Sequence, residues 1–376
     1  MKILHLIYDD MGNPWLAGGG ALQTLAVSKW LASNGHEITV VTGSYPKAIK
    51  QESINGVLYK RIGCGKSYFF SRLTYSICAQ RILRSSDYDI LMDDFSAFSP
   101  TFSPLFTKKP VVTVIRNFFG THAFKKYKFY GLVTYFIERF GMLLYSNFIT
   151  VSSSMESKVK EVANSARIRH IPDFIDESLL SIEGSEDKYI LFLGRIDIYQ
   201  KGLDTLLQAL KILDKDDLKL VIAGGGKDIE KLRGMISKAG LWDRVILKGY
   251  VRGGEKKKLL SNCLFVCVPS RFEAFPNVPI EAAACAKAVI GTKISGLSET
   301  ILVGETGILV ETENPVELAQ AMSRLLGDAA LRKRLGQVGR EWARNFRLDR
   351  TARLTEEFLL ECIANTNNEG EIKNHG

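Results

Sequence analysis

The 376-residue sequence predicts an α/β fold built from two doubly wound domains, and three observations predict it. Apolar, β-rich runs alternate with helical stretches through the first half of the chain. The same alternation repeats in the second half. Between the halves lies Ile182-Glu-Gly-Ser-Glu-Asp-Lys188, polar with one glycine, which reads as a linker. A chain of this length also exceeds what one ordinary core supports and fits two.

Residues 2–8 give the first strand, being too short for a signal peptide and lacking a small-residue cleavage site. A Gly18-Gly19-Gly20 loop leads into a helix over about 21–33, stopped at Gly35, and the strand 37–42 follows. Further strands are expected at 89–92, 110–115, 148–151 and 167–171. The second half reads more cleanly. Its strands fall at 189–193, 219–223, 245–248, 264–268 and 288–291, and its helices at about 202–213, 228–239, 255–262 and 278–286. Beyond Pro315 the chain is helical and charged. A last helix near 350–363 is expected to pack back onto the first domain. The expected boundaries are 1–182 and 183–347 for the two domains, 348–364 for the returning helix and 365–376 for a polar, disordered tail.

The apolar fraction of 46% and charged fraction of 24% fit a soluble globular protein. The longest apolar stretch, 129–151, is interrupted by Glu138 and Arg139, so no transmembrane helix is expected. Six cysteines show no disulfide framework, and Cys263 and Cys267 lie on or beside an apolar strand. Free thiols in a reducing cytoplasm follow. A net charge of +9 and a pI near 9.1 point to polyanionic partners. No zinc-knuckle, RNP or helix-turn-helix pattern supports nucleic acid, which leaves a phosphorylated substrate or an anionic membrane surface.

Two glutamates carry the chemistry. Glu273 and Glu281 have seven residues between them, within Ser270-Arg-Phe-Glu-Ala-Phe-Pro-Asn-Val-Pro-Ile-Glu281. Pro269 and Ser270 end the strand before them, and Pro276 and Pro279 suit a loop and a first helical turn. That is the sheet edge where open α/β folds bind ligands, and N–H groups at the helix start attract anionic oxygens. Two acceptor carboxylates beside such a spot suit a molecule with hydroxyls and phosphate, such as a nucleotide-sugar. Arg195 and Lys201 follow a strand end and flank a helix start. They form either a cationic grip on a diphosphate or ordinary surface cations. Gly18, Gly19 and Gly20 permit close backbone approach at another helix start. A dinucleotide oxidoreductase would need a fuller G-x-G-x-x-G and an acid ending the second strand, where this chain has Val41-Thr42-Gly43.

These residues resemble the family 4 retaining glycosyltransferases of the GT-B fold, over nearly the whole chain. The resemblance is carried by the strand Gly35-His-Glu-Ile-Thr-Val-Val-Thr42 and by Gly194-Arg195 with Lys201-Gly202. Ser270-x-x-Glu273, Glu281-Ala282, Gly296-x-x-Glu299 and Gly304-x-x-Gly307 continue it. It implies two Rossmann-like domains facing across a cleft, the first binding acceptor and the second binding a UDP- or GDP-sugar. The implied reaction moves a hexose, with retained anomeric configuration and no metal, to a saccharide or lipid-linked saccharide in cell-surface polysaccharide or lipopolysaccharide synthesis. Arg195, Lys201 and Glu273 would be catalytic, and Glu281 would accept from ribose hydroxyls. Backbone at Phe275, Pro276, Asn277 and Val278 would meet the sugar and distal phosphate, and backbone at Tyr250 and Val251 the base. A nucleotide-sugar 2-epimerase and a catalytically silent sugar-nucleotide-binding subunit are the alternatives.

The chain also departs from the family pattern. Arg116-Asn117 stands where the family often has His-Asp, with His122 six residues on from Arg116. Arg116 and His122 are candidates for contact with acceptor or donor sugar, and pairing with a nearby acid is the other reading of Arg116. Ala286 and Ala288 replace a common Gly and Pro, and Asp173 replaces a frequent Asn. Asp87-Tyr-Asp89 matches a metal-binding D-x-D superficially and reads as a turn. Tyr68-Phe69-Phe70 and Lys125-Lys-Tyr-Lys-Phe-Tyr130, before an apolar helix over 132–145, fit two readings. One is a peripheral surface on the inner face of the cell membrane; the other is a core helix after a solvated basic loop.

Overall fold

The computed structural model describes residues 1–15, 18–118, 120, 129–215 and 217–374, with no side-chain description at 129, 130 and 367–374. The chain forms two compact units, Met1–Asp173 with Leu348–Gly376, and Phe174–Arg347.

The first unit holds an eight-stranded sheet. Its strands are β1 (Lys2–Leu6), β2 (Glu37–Gly43), β3 (Gln51–Ile54), β4 (Val57–Ile62), β5 (Ile90–Asp94), β6 (Val111–Ile115), β7 (Asn147–Thr150) and β8 (Arg167–His170). They lie in the order β3-β4-β2-β1-β5-β6-β7-β8. All pairs are parallel except β3 with β4. Every residue of β6 is buried, as a parallel strand covered on both faces requires. Its helices include α1 (Gly19–Ser33), α2 (Tyr68–Ser85), α3 (Phe129–Gly141) and α4 (Ser153–Val162). Ser152 caps α4 by accepting the Met155 N–H at 3.2 Å. The β3–β4 hairpin was not expected from the sequence.

The second unit holds six parallel strands: β9 (Tyr189–Leu193), β10 (Lys219–Ala223), β11 (Val245–Gly249), β12 (Val266–Val268), β13 (Val289–Thr292) and β14 (Gly307–Val310). Their order is β11-β10-β9-β12-β13-β14. Helices α5 (Ile198–Lys201), α6 (Leu203–Leu213), α7 (Ile229–Ala239), α8 (Gly253–Asn262), α9 (Asn277–Ala284), α10 (Ser295–Ser298), α11 (Pro315–Gly327) and α12 (Ala329–Ala343) accompany them. Phe192, Phe265, Leu206 and Ile290 are fully buried in one core layer, each contributing about 1.5–3 kcal/mol through burial.

The strand order switches sides between β1 and β5 in the first unit and between β9 and β12 in the second. Loops leaving the C-terminal ends of such strand pairs form a natural binding crevice.

Two expected boundaries need correction. The units divide after Asp173, not at 182/183. The Ile175 N–H donates to the Phe346 carbonyl at 3.0 Å, and Ile175 and Leu179 are buried in the second unit's core. The final helix, α13, spans Leu348–Asn374, so helix replaces the tail expected to be disordered from 365. Asn365 and Thr366 side chains donate to the carbonyls of Glu361 and Cys362 one turn back, at 2.8 and 3.0 Å. This helix groups with the first unit: Thr351 Oγ1 donates to the Pro172 carbonyl at 3.0 Å, and Glu356 lies 2.5 Å from His36 Nε2.

Candidate functional site

The two loops at the switch point of the second unit carry most of the residues the sequence singles out. Leaving β9, the chain passes Gly194, at φ +158°, and reaches Arg195. The Arg195 side chain is exposed and makes no hydrogen bond or ion pair with any described residue, while its carbonyl accepts the Asp197 N–H at 3.0 Å. Asp197 then caps the single turn α5, its Oδ1 accepting the Gln200 N–H at 3.0 Å. Lys201 ends that turn, and Gly202 reverses the chain at φ +63°. A Cβ at Gly202 would lie 1.9 Å from the Pro269 carbonyl oxygen, so only glycine lets α5 close against the end of β12.

That contact delivers Lys201 to Glu273. Lys201 Nζ lies 2.5 Å from Glu273 Oε1, and Ser270 Oγ donates to the same oxygen at 2.7 Å. Both charged side chains are largely buried. The loop is anchored by Arg271, which no sequence motif marks. Its guanidinium takes both oxygens of Asp204 at 2.8 Å, Glu313 at 2.8 Å and the Tyr199 carbonyl at 2.8 Å. Behind the loop, a Cβ at Gly296 would sit 2.5 Å from the Glu273 carbonyl oxygen, so α10 packs directly on the Glu273 backbone.

Glu281 lies on α9 and is buried. Its Oε1 accepts from Lys256 Nζ on α8 at 2.7 Å, while Oε2 is buried with no partner. Asn277 Oδ1, in the first turn of α9, is likewise buried without a partner. Pro276 precedes this helix without a side-chain cap, leaving the first-turn N–H groups uncapped by any side chain. Phe275 and Val278 pack on the core, with the Phe275 ring 6.0 Å from Phe346. Tyr250 is exposed beneath the Arg252 guanidinium, 4.7 Å above its ring, whereas the Val251 side chain is buried in the core. Lys256 had no distinguishing mark in Lys256-Lys-Lys258. Only the helix places it on Glu281 and its neighbour Lys257 on Asp176, at 2.8 Å.

The first unit's switch point gathers a different set. Gly18 precedes α1, and a Cβ there would lie 3.4 Å from Asp9 Oδ2. A Cβ at Gly20 would meet the Arg116 side chain at 3.5 Å, while Gly19 faces open space. Arg116 pairs with acids, the second of its two readings. Its Nε donates to Asp94 at 2.9 Å and its Nη1 to Asp173, with His5 Nε2 2.6 Å from the other Asp94 oxygen. Burial works against charge on Arg116, but Asp173 and Asp94 outweigh it and strengthen its hold on the proton. Burial likewise pushes the Asp94 carboxyl up, yet Arg116 and His5 hold it below the usual range. His5, Arg116 and Asp173 line a cavity of about 30 Å³ together with Thr24 and Thr351. His122 lies outside the described residues. Asp87 and Asp89 are tied to Lys2, through its Nζ at 2.5 Å and its backbone N–H at 2.7 Å.

Two doubly wound parallel units of this kind, with an acidic and cationic loop pair at the second switch point, define a GT-B glycosyltransferase. The profile described as Glycosyltransferase Family 4 matches residues 17–179, and that described as Glycosyl transferases group 1 matches residues 180–342. The chain belongs to the family 4 glycosyltransferases. It is 28% identical over 358 residues to an uncharacterized glycosyltransferase, MJ1607, of Methanocaldococcus jannaschii, covering 89% of this chain and 91% of that one. It is 36% identical over 176 residues to the N-acetylgalactosamine-N,N'-diacetylbacillosaminyl-diphospho-undecaprenol 4-alpha-N-acetylgalactosaminyltransferase of Campylobacter jejuni, covering 46% of this chain and 47% of that one. Among solved structures, sucrose-phosphate synthase of Thermosynechococcus elongatus aligns with a TM-score of 0.83 at 20% identity, covering 97% and 99% of the two chains. Anabaena HepE, solved with UDP-glucose, aligns with a TM-score of 0.76 at 17% identity, covering 96% and 100%.

Proposed function

We propose that this glycosyltransferase transfers a hexose from a UDP- or GDP-sugar, with retention and without a metal, to a saccharide or lipid-linked saccharide. The observation that carries the reading is Glu281: a buried carboxylate with one oxygen fixed by Lys256 and the other unpartnered, on a helix whose N–H groups lack a side-chain cap. An acceptor-only oxygen in such a place suits the paired hydroxyls of a ribose, and the free helix start suits phosphate oxygens. The solved HepE complex with UDP-glucose agrees with a UDP-sugar, and the undecaprenyl-linked acceptor named for the Campylobacter relative agrees with a lipid-linked one.

In this reading Arg195 and Lys201 face the diphosphate. As the glycosidic bond breaks, negative charge grows on the leaving phosphate, and cations already in place stabilise it without reorganising. Glu273 positions Lys201 and turns toward the donor sugar. The departing phosphate oxygen takes the acceptor's proton while the acceptor attacks from the same face, which retains configuration and needs no separate general base.

Calorimetric titration with UDP, GDP and ADP, followed by product analysis with the matching sugar nucleotides, tests the proposal. Lys201→Ala is expected to abolish transfer while leaving the fold intact, and Glu281→Gln to weaken nucleotide binding about ten- to a hundredfold. Full transfer by either variant would overturn the site.

A further inference from the structure

We propose that the face of the first unit formed by α2, the 95–106 loop and α3 docks on an anionic lipid bilayer. The surface is independent of the donor chemistry and is built by two helices that each turn an apolar stripe outward. Helix α2 buries Ser71, Tyr75, Ala79 and Leu83 on one side. On the other it exposes Phe69, Phe70, Leu73 and Ile77, at 48 to 69%. Helix α3 does the same with Leu132, Val133, Phe136 and Phe140, at 41 to 59%, and the Phe136 and Phe140 rings stack 5.8 Å apart. Scattered exposed apolar residues are ordinary on any surface, but rows at i, i+4 spacing on neighbouring elements are not.

The two helices share one face through the loop between β5 and β6. The Arg72 guanidinium lies over both the Tyr68 ring and the Phe98 ring, at 5.0 and 5.6 Å. At the other end, a Cβ on Gly141 would sit 3.4 Å from the Phe102 ring and 3.5 Å from the Phe95 ring. The loop adds exposed Leu105 to the apolar area.

Charge selects the occupant. Residues 53–86 contain six Lys and Arg and no acid. Residues 95–155 contain seven Lys and Arg and a single acid, Glu138, which is buried and accepts the Gly120 N–H at 2.9 Å. Residues 1–173 carry 21 Lys and Arg against 12 Asp and Glu, whereas residues 174–376 carry 29 of each, so the chain's whole positive excess lies in the part that bears this face. Exposed Lys66, Arg81, Arg84, Lys108, Lys109 and Arg139 sit on the same elements or flank them. Apolar side chains entering the headgroup boundary beside cations that meet lipid phosphates make an interfacial attachment. Among the described residues no helix is long and apolar enough to cross a membrane, so attachment is to one surface. A second copy of the chain is the poorer occupant, because a two-fold contact would set these cations against themselves.

The test is sedimentation of the full chain with sucrose-loaded vesicles of phosphatidylcholine alone or mixed with phosphatidylglycerol. The chain is expected to pellet with the mixed vesicles, to remain free with the neutral ones and to be released by salt. The pairs Phe69→Gln with Leu73→Gln, and Phe136→Gln with Phe140→Gln, are each expected to lower the bound-to-free ratio at least about tenfold. Lys66→Gln with Arg81→Gln should lower it about twentyfold. All three variants should keep the wild-type unfolding midpoint, because the altered side chains point outward. Unchanged pelleting by folded variants, equal binding to neutral vesicles, or a light-scattering dimer that the variants dissolve would each overturn the proposal. Nucleotide titration of the same variants separates the two readings. Vesicle binding without nucleotide binding would leave this surface standing and remove the donor assignment.

Discussion

Ala286→Gly is expected to stabilise the second unit, and the size of the effect follows from the backbone. The chain leaves α9 through a Schellman turn: the Lys287 N–H donates to the Ala282 carbonyl at 2.9 Å and the Ala286 N–H to the Ala283 carbonyl at 2.8 Å. The residue between must be left-handed, and Ala286 is held there at φ +55°. A Cβ in that region costs roughly 1–2 kcal/mol. Glycine removes the cost but gives the unfolded chain more freedom, worth about 0.4–1 kcal/mol. Ala286 is only half-buried, so losing its methyl adds little. The net gain is about 0.5–1 kcal/mol, or roughly 1–4 °C in Tm for a unit of this size. Urea unfolding followed by tryptophan fluorescence and calorimetry would measure it. A lower midpoint for Ala286→Gly, or a higher one for Ala286→Val, would refute the reasoning.

Gly202→Ala should destabilise by at least about 2 kcal/mol, because the new Cβ meets the Pro269 carbonyl oxygen in a left-handed backbone; chemical denaturation reads this directly. Arg116→Met leaves Asp173 buried without its counter-charge and Asp94 with His5 alone, and should cost about 3–5 kcal/mol, seen as a lower urea midpoint. The Asp94 carboxyl is held below its unfolded value, so its stabilisation is complete above about pH 4 and is lost as pH falls through the lower folded value. Asp94→Asn should therefore lose less stability than wild type on acidification below about pH 4. Asp173, which burial raises and which therefore acts in the opposite sense, is present in both proteins. Denaturation midpoints on either side of that pH decide it.

The parallel strands were legible because a strand covered on both faces has little choice of residue: 189–193 and 219–223 coincide with β9 and β10. The β3–β4 hairpin does carry a local signal. Asn55-Gly56 follows Ile54, and both turn residues take positive φ, +53° and +82°, as a two-residue hairpin loop demands. Strand β14 left less, being only four residues that open on a glycine. The site divides in the same way. Glu273 and Lys201 are 72 positions apart in sequence, and no local pattern joins them. What joins them is Gly202, whose missing Cβ lets the loop after β9 touch the loop after β12. Lys256 is the harder case, since three consecutive lysines differ only in the direction the helix gives each.

Under the proposed function, those lysines account for acids placed beside a ligand that is itself anionic. Two carboxylates standing free near uncapped N–H groups would repel a phosphate as strongly as the helix start attracts it. Here each is matched: Lys201 holds Glu273 and Lys256 holds Glu281. In the proposed donor site the glutamates would thus stay acceptors for hydroxyls while their charge is locally cancelled, and Arg195, whose side chain has no described partner, would supply the net positive field. Removing Lys256 should accordingly weaken binding of a nucleoside diphosphate more than binding of the nucleoside alone. Phosphate repulsion by an unmatched Glu281 falls only on the former. Equal weakening of the two ligands in Lys256→Met, measured by calorimetry, would show that Lys256 merely props the side chain.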